Sequence, residues 1–289
     1  MPDHPDPAAP ARPGLQRRWL FVILALTFLF VLMPFLFWQA TWFGKPLSDA
    51  QLEKSLADRQ HPREAQHALS QLAGRILARD AVTRDSARRF YPQVVQLAQT
   101  GQDELRLTAA WVMGQDNSVP GFHQELLRLV QDSNPMVRRN AALALVRFGD
   151  VSGRAEIRAM LQPYAIVTPS GGTALDERLK PGDAINPGTL LGRIEHGDRA
   201  ISELRSQIPG AIDRWLVVDK AAVAAGEPVL LVNPSADEIW EALRALYLIG
   251  EPQDLPAVEE FARGAAEVPA NVRQQAELTA TAIRSRASR

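Results

Sequence analysis

The sequence predicts a mainly α protein, with a small all-β domain set inside the helical part and one membrane-length helix at the N-terminus. Three observations carry this. Trp19–Trp38, WLFVILALTFLFVLMPFLFW, is a run of twenty residues without a charge. Beyond it, amphipathic helical stretches repeat a small-residue position, Ala109, Ala141, Ala242 and Ala276, at intervals of 32, 101 and 34. The long middle interval holds residues 163–235, where alternating apolar runs are punctuated by glycine and proline, the pattern of short strands and turns.

At ~1.5 Å per residue the uncharged run spans ~30 Å, the hydrocarbon thickness of a bilayer. A cleaved signal has a shorter apolar core, ~7–15 residues, and a small-x-small exit, whereas this run leaves through the aromatic WQATWFGKP. The expectation is an uncleaved anchor over residues 19–43, contacting lipid through Trp19–Trp38, after a disordered tail over residues 1–18. Pro34 is tolerable inside such a helix. Arg12, Arg17 and Arg18 precede the span, and Trp38 and Trp42 mark its far end. The positive-inside rule then puts the N-terminus in the cytoplasm and the rest outside, in a bacterial periplasm, with Lys45 and Lys54 counting against that orientation.

The chain of 289 residues carries a formal net charge of −1 and no cysteine. No basic field is available to hold nucleic acid. Disulfides, thiolate metal sites and cysteine nucleophiles are excluded together.

From residue 46 the pattern is helical. Ser48 and Gln51 form an S-x-x-Q capping box, and Pro62 opens a helix with Ala65, Ala68, Leu69, Leu72, Ile76 and Leu77 on one face. DSNPMVRRNAALALVRFGD (Asp132–Asp150) has a turn with Asp and Pro, then Val-Arg, then paired small residues. DELRLTAAWVMGQD, EIWEALRALYLIGE and NVRQQAELTATA repeat its stripe. These segments resemble the second helices of HEAT-type repeats, and the resemblance implies an α-α solenoid over residues 46–162, continued over 236–289. One repeat of ~33 residues accounts for part of the middle interval and leaves ~68 residues over, so a separate unit is inserted there.

That unit is itself a duplication. GTALDERLKPGDAINPG (Gly172–Gly188) and GAIDRWLVVDKAAVAAG (Gly210–Gly226) align at an offset of 38, pairing Ala174 with Ile212, Leu179 with Val217, Ile185 with Val223, Leu191 with Val229 and Ile194 with Val232. Two such halves suggest interlocked parts of one β structure. The arrangement resembles the biotinyl/lipoyl-like hammerhead, a barrel-sandwich hybrid. In carrier members the lysine at the tip of the hairpin joining the halves bears the prosthetic group. Here HGDRAISELRSQIPG places Arg199 at that position, and a guanidinium stays protonated and is no amine nucleophile. The resemblance therefore implies a module without cofactor, and no metal is expected either.

Other polar groups read as ordinary surface chemistry. Asp132 with Arg138 and Arg139, and Asp103 with Arg106, fit ladders between neighbouring repeats. His61, His67, His123 and His196 lack ligand spacing, and Ser170-Gly171-Gly172 is an ordinary turn without the lysine of a phosphate loop. Trp111, Trp215 and Trp240 fit packing or an interface. RDSARRF (Arg84–Phe90) is a solvated basic face. Nothing assembles a nucleophile, base and oxyanion stabiliser. The expectation is a non-enzymatic scaffold or assembly subunit that docks other membrane or extracytoplasmic proteins, with Arg199, Arg138 and Arg139 as candidate docking residues. The alternatives are a membrane-fusion-type adaptor of a transport or secretion system, and an accessory enzyme or carrier with an unrecognised site.

Overall fold

A computed structural model describes residues 14–40, 46–175, 179–264 and 268–288. Helix α1 runs from Gly14 to Ala40 and contains Pro34. It is long and apolar enough over Trp19–Leu36 to cross a membrane. It also starts five residues before Trp19, so residues 14–18 are helical and not part of a tail. Leu15, Gln16, Arg17 and Arg18 are good helix formers, and extending an existing helix needs no new nucleus. Residues 1–13 with Arg12, and residues 41–45 with Trp42 and Lys45, lie outside the described residues, as do the side chains of Arg17, Arg18 and Trp38. The chain divides into two units at Gln51/Leu52.

The capping box forms as expected at the start of α2 (Asp49–Ala57): the Ser48 amide donates to Gln51 Oε1 at 2.9 Å, and the Gln51 amide to Ser48 Oγ at 3.4 Å. The larger unit continues with α3 (Pro62–Ile76), α4 (Ala81–Arg88), α5 (Tyr91–Thr100), α6 (Asp103–Met113), α7 (Pro120–Leu129), α8 (Pro135–Arg147) and α9 (Arg154–Ala159). After the strands come α10 (Ala236–Ile249), a 3-10 turn over Pro252–Asp254, α11 (Leu255–Ala262) and α12 (Ala270–Ala287). The four repeat stripes become α6, α8, α10 and α12, which pack on one another in that order. Their shared alanines, Ala109, Ala141, Ala242 and Ala276, are fully buried. Small residues at these positions let helix axes approach closely: a Cβ on Gly114 of the α6 end would lie 2.8 Å from the Ala144 Cβ of α8.

Polar ladders tie the repeats together. Arg106 donates through Nε and Nη2 to both Asp132 carboxylate oxygens at 2.8 and 2.9 Å, and Asn134 Nδ2 donates to Asp103 at 2.7 Å. Burial pushes the Asp132 carboxyl up, but Arg106 and the Asn134 amide outweigh it and the net shift is down.

The helical array is interrupted within one repeat. Two residues join α5 to α6, and a short turn joins α7 to α8, but the equivalent turn from α9 to α10 holds residues 160–235 and all eight strands. These are β1 (Tyr164–Val167), β2 (Gly172–Leu175), β3 (Ala184–Ile185), β4 (Leu190–Glu195), β5 (Ile201–Arg205), β6 (Gly210–Trp215), β7 (Ala222–Val223) and β8 (Pro228–Asn233). They form two four-stranded sheets, ordered β1-β8-β6-β3 and β5-β4-β2-β7. Advancing one sheet by half the module, so that β1, β2, β3 and β4 become β5, β6, β7 and β8, gives the other. Each sheet borrows strands from both halves, so neither half closes alone.

The register repeats at the offset read from sequence. Ala174 faces Ile194 as Ile212 faces Val232, and Gly172 faces Val223 as Gly210 faces Ile185. The five aligned apolar pairs all contribute to the module core, eight of those side chains buried and Leu179 and Val217 partly so. Gly172 and Gly210 are needed because a Cβ on either would strike the carbonyl of Glu195 or Asn233. The turns match as well. The Asp183 amide donates to the Lys180 carbonyl at 3.0 Å across Pro181-Gly182, and the Ala221 amide to the Val218 carbonyl at 3.0 Å across Asp219-Lys220. Gly182 has φ +90° and Lys220 φ +66°, so a lysine holds a left-handed conformation where its twin is glycine.

Left-handed backbone costs a side-chain-bearing residue roughly 1–2 kcal/mol. Lys220→Gly should therefore raise stability by about 1 kcal/mol, partly offset by added chain entropy, read as a higher denaturant midpoint. A loss of stability would show that the Lys220 side chain holds the turn. For Asp132, whose folded pKa is depressed, the stabilisation is present above the unfolded value of about 3.9 and lost as pH falls through the folded value. Asp132→Asn should cost about 1.5–3 kcal/mol at neutral pH and flatten the fall of melting temperature below pH 4. An unchanged acid limb would mean that the Arg106 pair contributes nothing.

Candidate docking surfaces

The exposed faces of the second helices form an open groove of about 570 Å³. Trp111, Gly114 and Gln115 come from α6 and its end, Asn140, Leu143 and Arg147 from α8, Glu241, Arg244 and Leu248 from α10, and Gln275 and Leu278 from α12. The inward stripes of these helices are filled by buried alanine, leucine, valine and isoleucine. Trp111 (44% exposed), Tyr247 (43%), Leu248 (61%) and Leu278 (51%) fall outside those stripes and face solvent. Apolar side chains gathered along a groove, with a few charges at the rim, are the composition of a protein-docking surface. A smaller hollow of about 370 Å³ lies between the edge strands β1 and β5, floored by Ile166 and Leu204.

Arg139 sits where the strand module leaves and rejoins the helices. This side chain, 3% exposed, pairs through Nη1 with Glu238 at the start of α10. Its Nε lies 3.9 Å from Glu156 Oε1 of α9, and its guanidinium sits 5.5 Å from the centre of the Tyr164 ring, the first residue of β1. Glu238 also completes the capping box with Ser235, the residue that opens α10. Arg139 thus touches the chain where it enters the module and where it leaves. Burial pushes the Glu238 carboxyl up, against the opposing pull of the Arg139 charge. Met136, one turn earlier on α8, packs against the module core.

Arg139 is therefore not the surface docking residue expected from sequence. Its charge is desolvated and spent internally. Arg138 reaches the same Glu156 from a partly exposed position, donating to it at 3.2 Å and to the carbonyls of Asp132 and Ser133, so it caps the repeat turn. Arg199 lies exposed in the turn between β4 and β5, with φ +67°. Its amide donates to the His196 carbonyl at 2.8 Å, and the Ala200 amide to Asp198 Oδ1 at 3.0 Å. The structure brings Arg138 and Arg139 to one corner of α8 and leaves Arg199 at the hairpin.

Trp111 lines the groove, whereas Trp215 donates its indole N–H to the Leu179 carbonyl at 2.9 Å and Trp240 lies under Arg244. His123 pairs with Asp150 at 2.7 Å and His61 with Asp58 at 2.8 Å. His196 bridges the Gly171 carbonyl and Ser202 Oγ, both at 3.0 Å, tying the hairpin base to β2. Among the described residues no group of three or more His, Asp or Glu side chains is arranged to hold a metal ion. Sequence reasoning missed Tyr247, Leu248, Leu278, Arg147 and Arg244. Leu248 was detectable as a leucine two residues past the Ala242–Leu246 stripe and off its face. Lys220 stands in a turn within the second half, away from the hairpin that joins the halves.

Residues 91–168 match the family model for HEAT repeats. The match begins at α5 and ends just beyond β1. No match is found among curated proteins.

Breaking the Arg139 pair from one side strands a buried charge. Arg139→Met should destabilise the protein by about 3–5 kcal/mol, and adding Glu238→Leu should recover most of that loss. Denaturant unfolding of the two variants checks this. A single-variant cost below about 1 kcal/mol would mean that the junction of α8 and α10 is held by other contacts.

Proposed function

We propose that this chain is a membrane-anchored, non-enzymatic scaffold that docks proteins of a membrane complex through its helical repeats and through a second, cofactor-free β module. The observation that carries the reading is the row of exposed apolar side chains lining one groove across helices from successive repeats. Repeat arrays offer extended surfaces of this kind, used for holding other proteins, and the HEAT-repeat match over residues 91–168 agrees with that use.

The duplicated strands, with their exchanged sheet order, support reading the insert as a biotinyl/lipoyl-like barrel-sandwich hybrid. Arg199 in place of an attachment lysine supports a docking role over a carrier role. Helix α1 serves in this reading as an uncleaved anchor, with the N-terminus in the cytoplasm and the repeats outside it. Anchoring raises the effective concentration of the repeats beside other membrane proteins.

The test is extraction from native membranes in mild detergent, with co-purifying proteins identified by mass. The expected result is a partner at fixed stoichiometry that is lost from the double variant Leu248→Glu, Leu278→Glu. Both positions are exposed, so the melting temperature should stay within a few degrees of the parent. Recovery of the bare chain alone would overturn the scaffold reading.

A further inference from the structure

We infer that strand β5 pairs antiparallel with β5 of a second copy of this chain, in the register that sets Leu204 opposite itself. Strand β5 is an edge, since its sheet runs β5-β4-β2-β7. At five residues it is longer than the other edges, with four in β1 and two each in β3 and β7. The His196 amide donates to the Ala200 carbonyl and the Ser206 amide to the Thr189 carbonyl, both at 2.9 Å. Residues 200 and 206 therefore turn their backbone groups toward β4. Alternation along an antiparallel strand does the same for Ser202 and Leu204, and turns the N–H and C=O of Ile201, Glu203 and Arg205 outward. An edge of this kind is a template for another strand.

A second copy is the fitting partner because this strand is complementary to itself. Two registers with two-fold symmetry bring its outward backbone groups together near the middle of the strand. With Glu203 opposite Glu203 of the copy, like charges face each other, which is destabilising. With Leu204 opposite Leu204 of the copy, Glu203 faces the copy's Arg205, and Arg205 faces the copy's Glu203. Within one chain these two side chains already lie 2.7 Å apart, 45% and 51% exposed, so each has room for a second opposite charge. Pairing then closes a ring of four alternating charges on the outer face. On the inner face, Leu204 and Ile166 floor the hollow between β1 and β5, and the copy's Leu204 extends that apolar surface. A strand pair alone is smaller than the interface of a stable soluble dimer, ~800 Å² per partner. The inference therefore rests on the proposed anchor, since chains sharing a membrane meet at high effective concentration.

The chain has no cysteine, so single introduced thiols report the register. Leu204→Cys and Glu203→Cys are each placed in the full chain, oxidised in native membranes with copper phenanthroline and read on non-reducing gels. Opposed residues of a non-hydrogen-bonded pair have Cα atoms ~4.5 Å apart, within disulfide range. The two Glu203 positions are diagonal in this register, ~7–8 Å apart. The expected result is a disulfide-linked homodimer from Leu204→Cys, at a yield about fivefold or more above Glu203→Cys. Adding Glu203→Arg should lower that yield roughly tenfold, and adding Arg205→Glu as well should restore it. The exposed pair Ile201→Cys, Gln207→Cys should link the same way, which keeps the test independent of the buried leucine. The inference is overturned if Glu203→Cys links as well as Leu204→Cys, if the adduct is with a different protein, or if neither Leu204→Cys nor the exposed pair gives a dimer while the chain stays in the membrane pellet. A chain released by carbonate washing removes the proposed anchor and this pairing together.

Discussion

A buried ion pair across the interruption, Arg139 with Glu238, is the contact on which the rest of the architecture depends. The two residues are 99 positions apart, and the strand module lies between them. The pair joins α8 to the start of α10 across that excursion, beside the apolar contacts that α10 makes with its neighbours. With it, α10 packs on α8 and α9 and the array continues. A buried pair of this kind contributes little net energy against an apolar replacement, but it punishes misplacement, because either charge alone in that position is costly. The same guanidinium faces Tyr164 at the module entrance, so one side chain touches both the continued array and the first strand.

An excursion of this length fits into a helix–helix turn because the module brings its own ends together. Its first and last strands are neighbours, with Tyr164 opposite Val232, so entry and exit are about one strand spacing apart, ~5 Å. The turn between α9 and α10 then has no more distance to cover than the two residues between α5 and α6. Inserted domains with adjacent termini are tolerated for this reason. The helices on either side of the module are thus joined across it without a long connection.

Periodic features were legible in the sequence, and one-off contacts were not. The Ala109, Ala141, Ala242 and Ala276 stripe and the 38-residue duplication recur, and recurrence separates a core position from chance. The helical repeats and the two sheets follow from those signals. Arg139 was misread because Arg138 and Arg139 are adjacent and chemically identical, while a helix turns them ~100° apart. One caps a turn and the other is buried, and only a partner 99 residues away distinguishes them. The groove was equally hidden. Leu248 and Leu278 look like spare core residues in an apolar helix, and they are exposed because the helices beside them fill the core first. The helix start at Gly14 escaped because Pro13 and its alanine- and proline-rich neighbours set the expectation for the residues that follow.

The two halves of the module share a backbone but not a chemistry, and the difference bears on what they present. Where the first half turns through Pro181-Gly182, both suited to that geometry, the second turns through Asp219-Lys220 and holds a lysine at φ +66°. Strain of this kind persists only when surrounding structure fixes it, and here the fixing bonds are the Lys220 amide to the Ala174 carbonyl at 2.7 Å and the Ala174 amide to the Ala221 carbonyl at 2.9 Å. Beside that turn Leu216 and Val218 are exposed, where the aligned positions of the first half are Arg178 and Lys180. At this turn the two copies thus differ in sequence character although their backbones match. A partner that recognised only the shared backbone would bind in two orientations. One that read these side chains would bind in one.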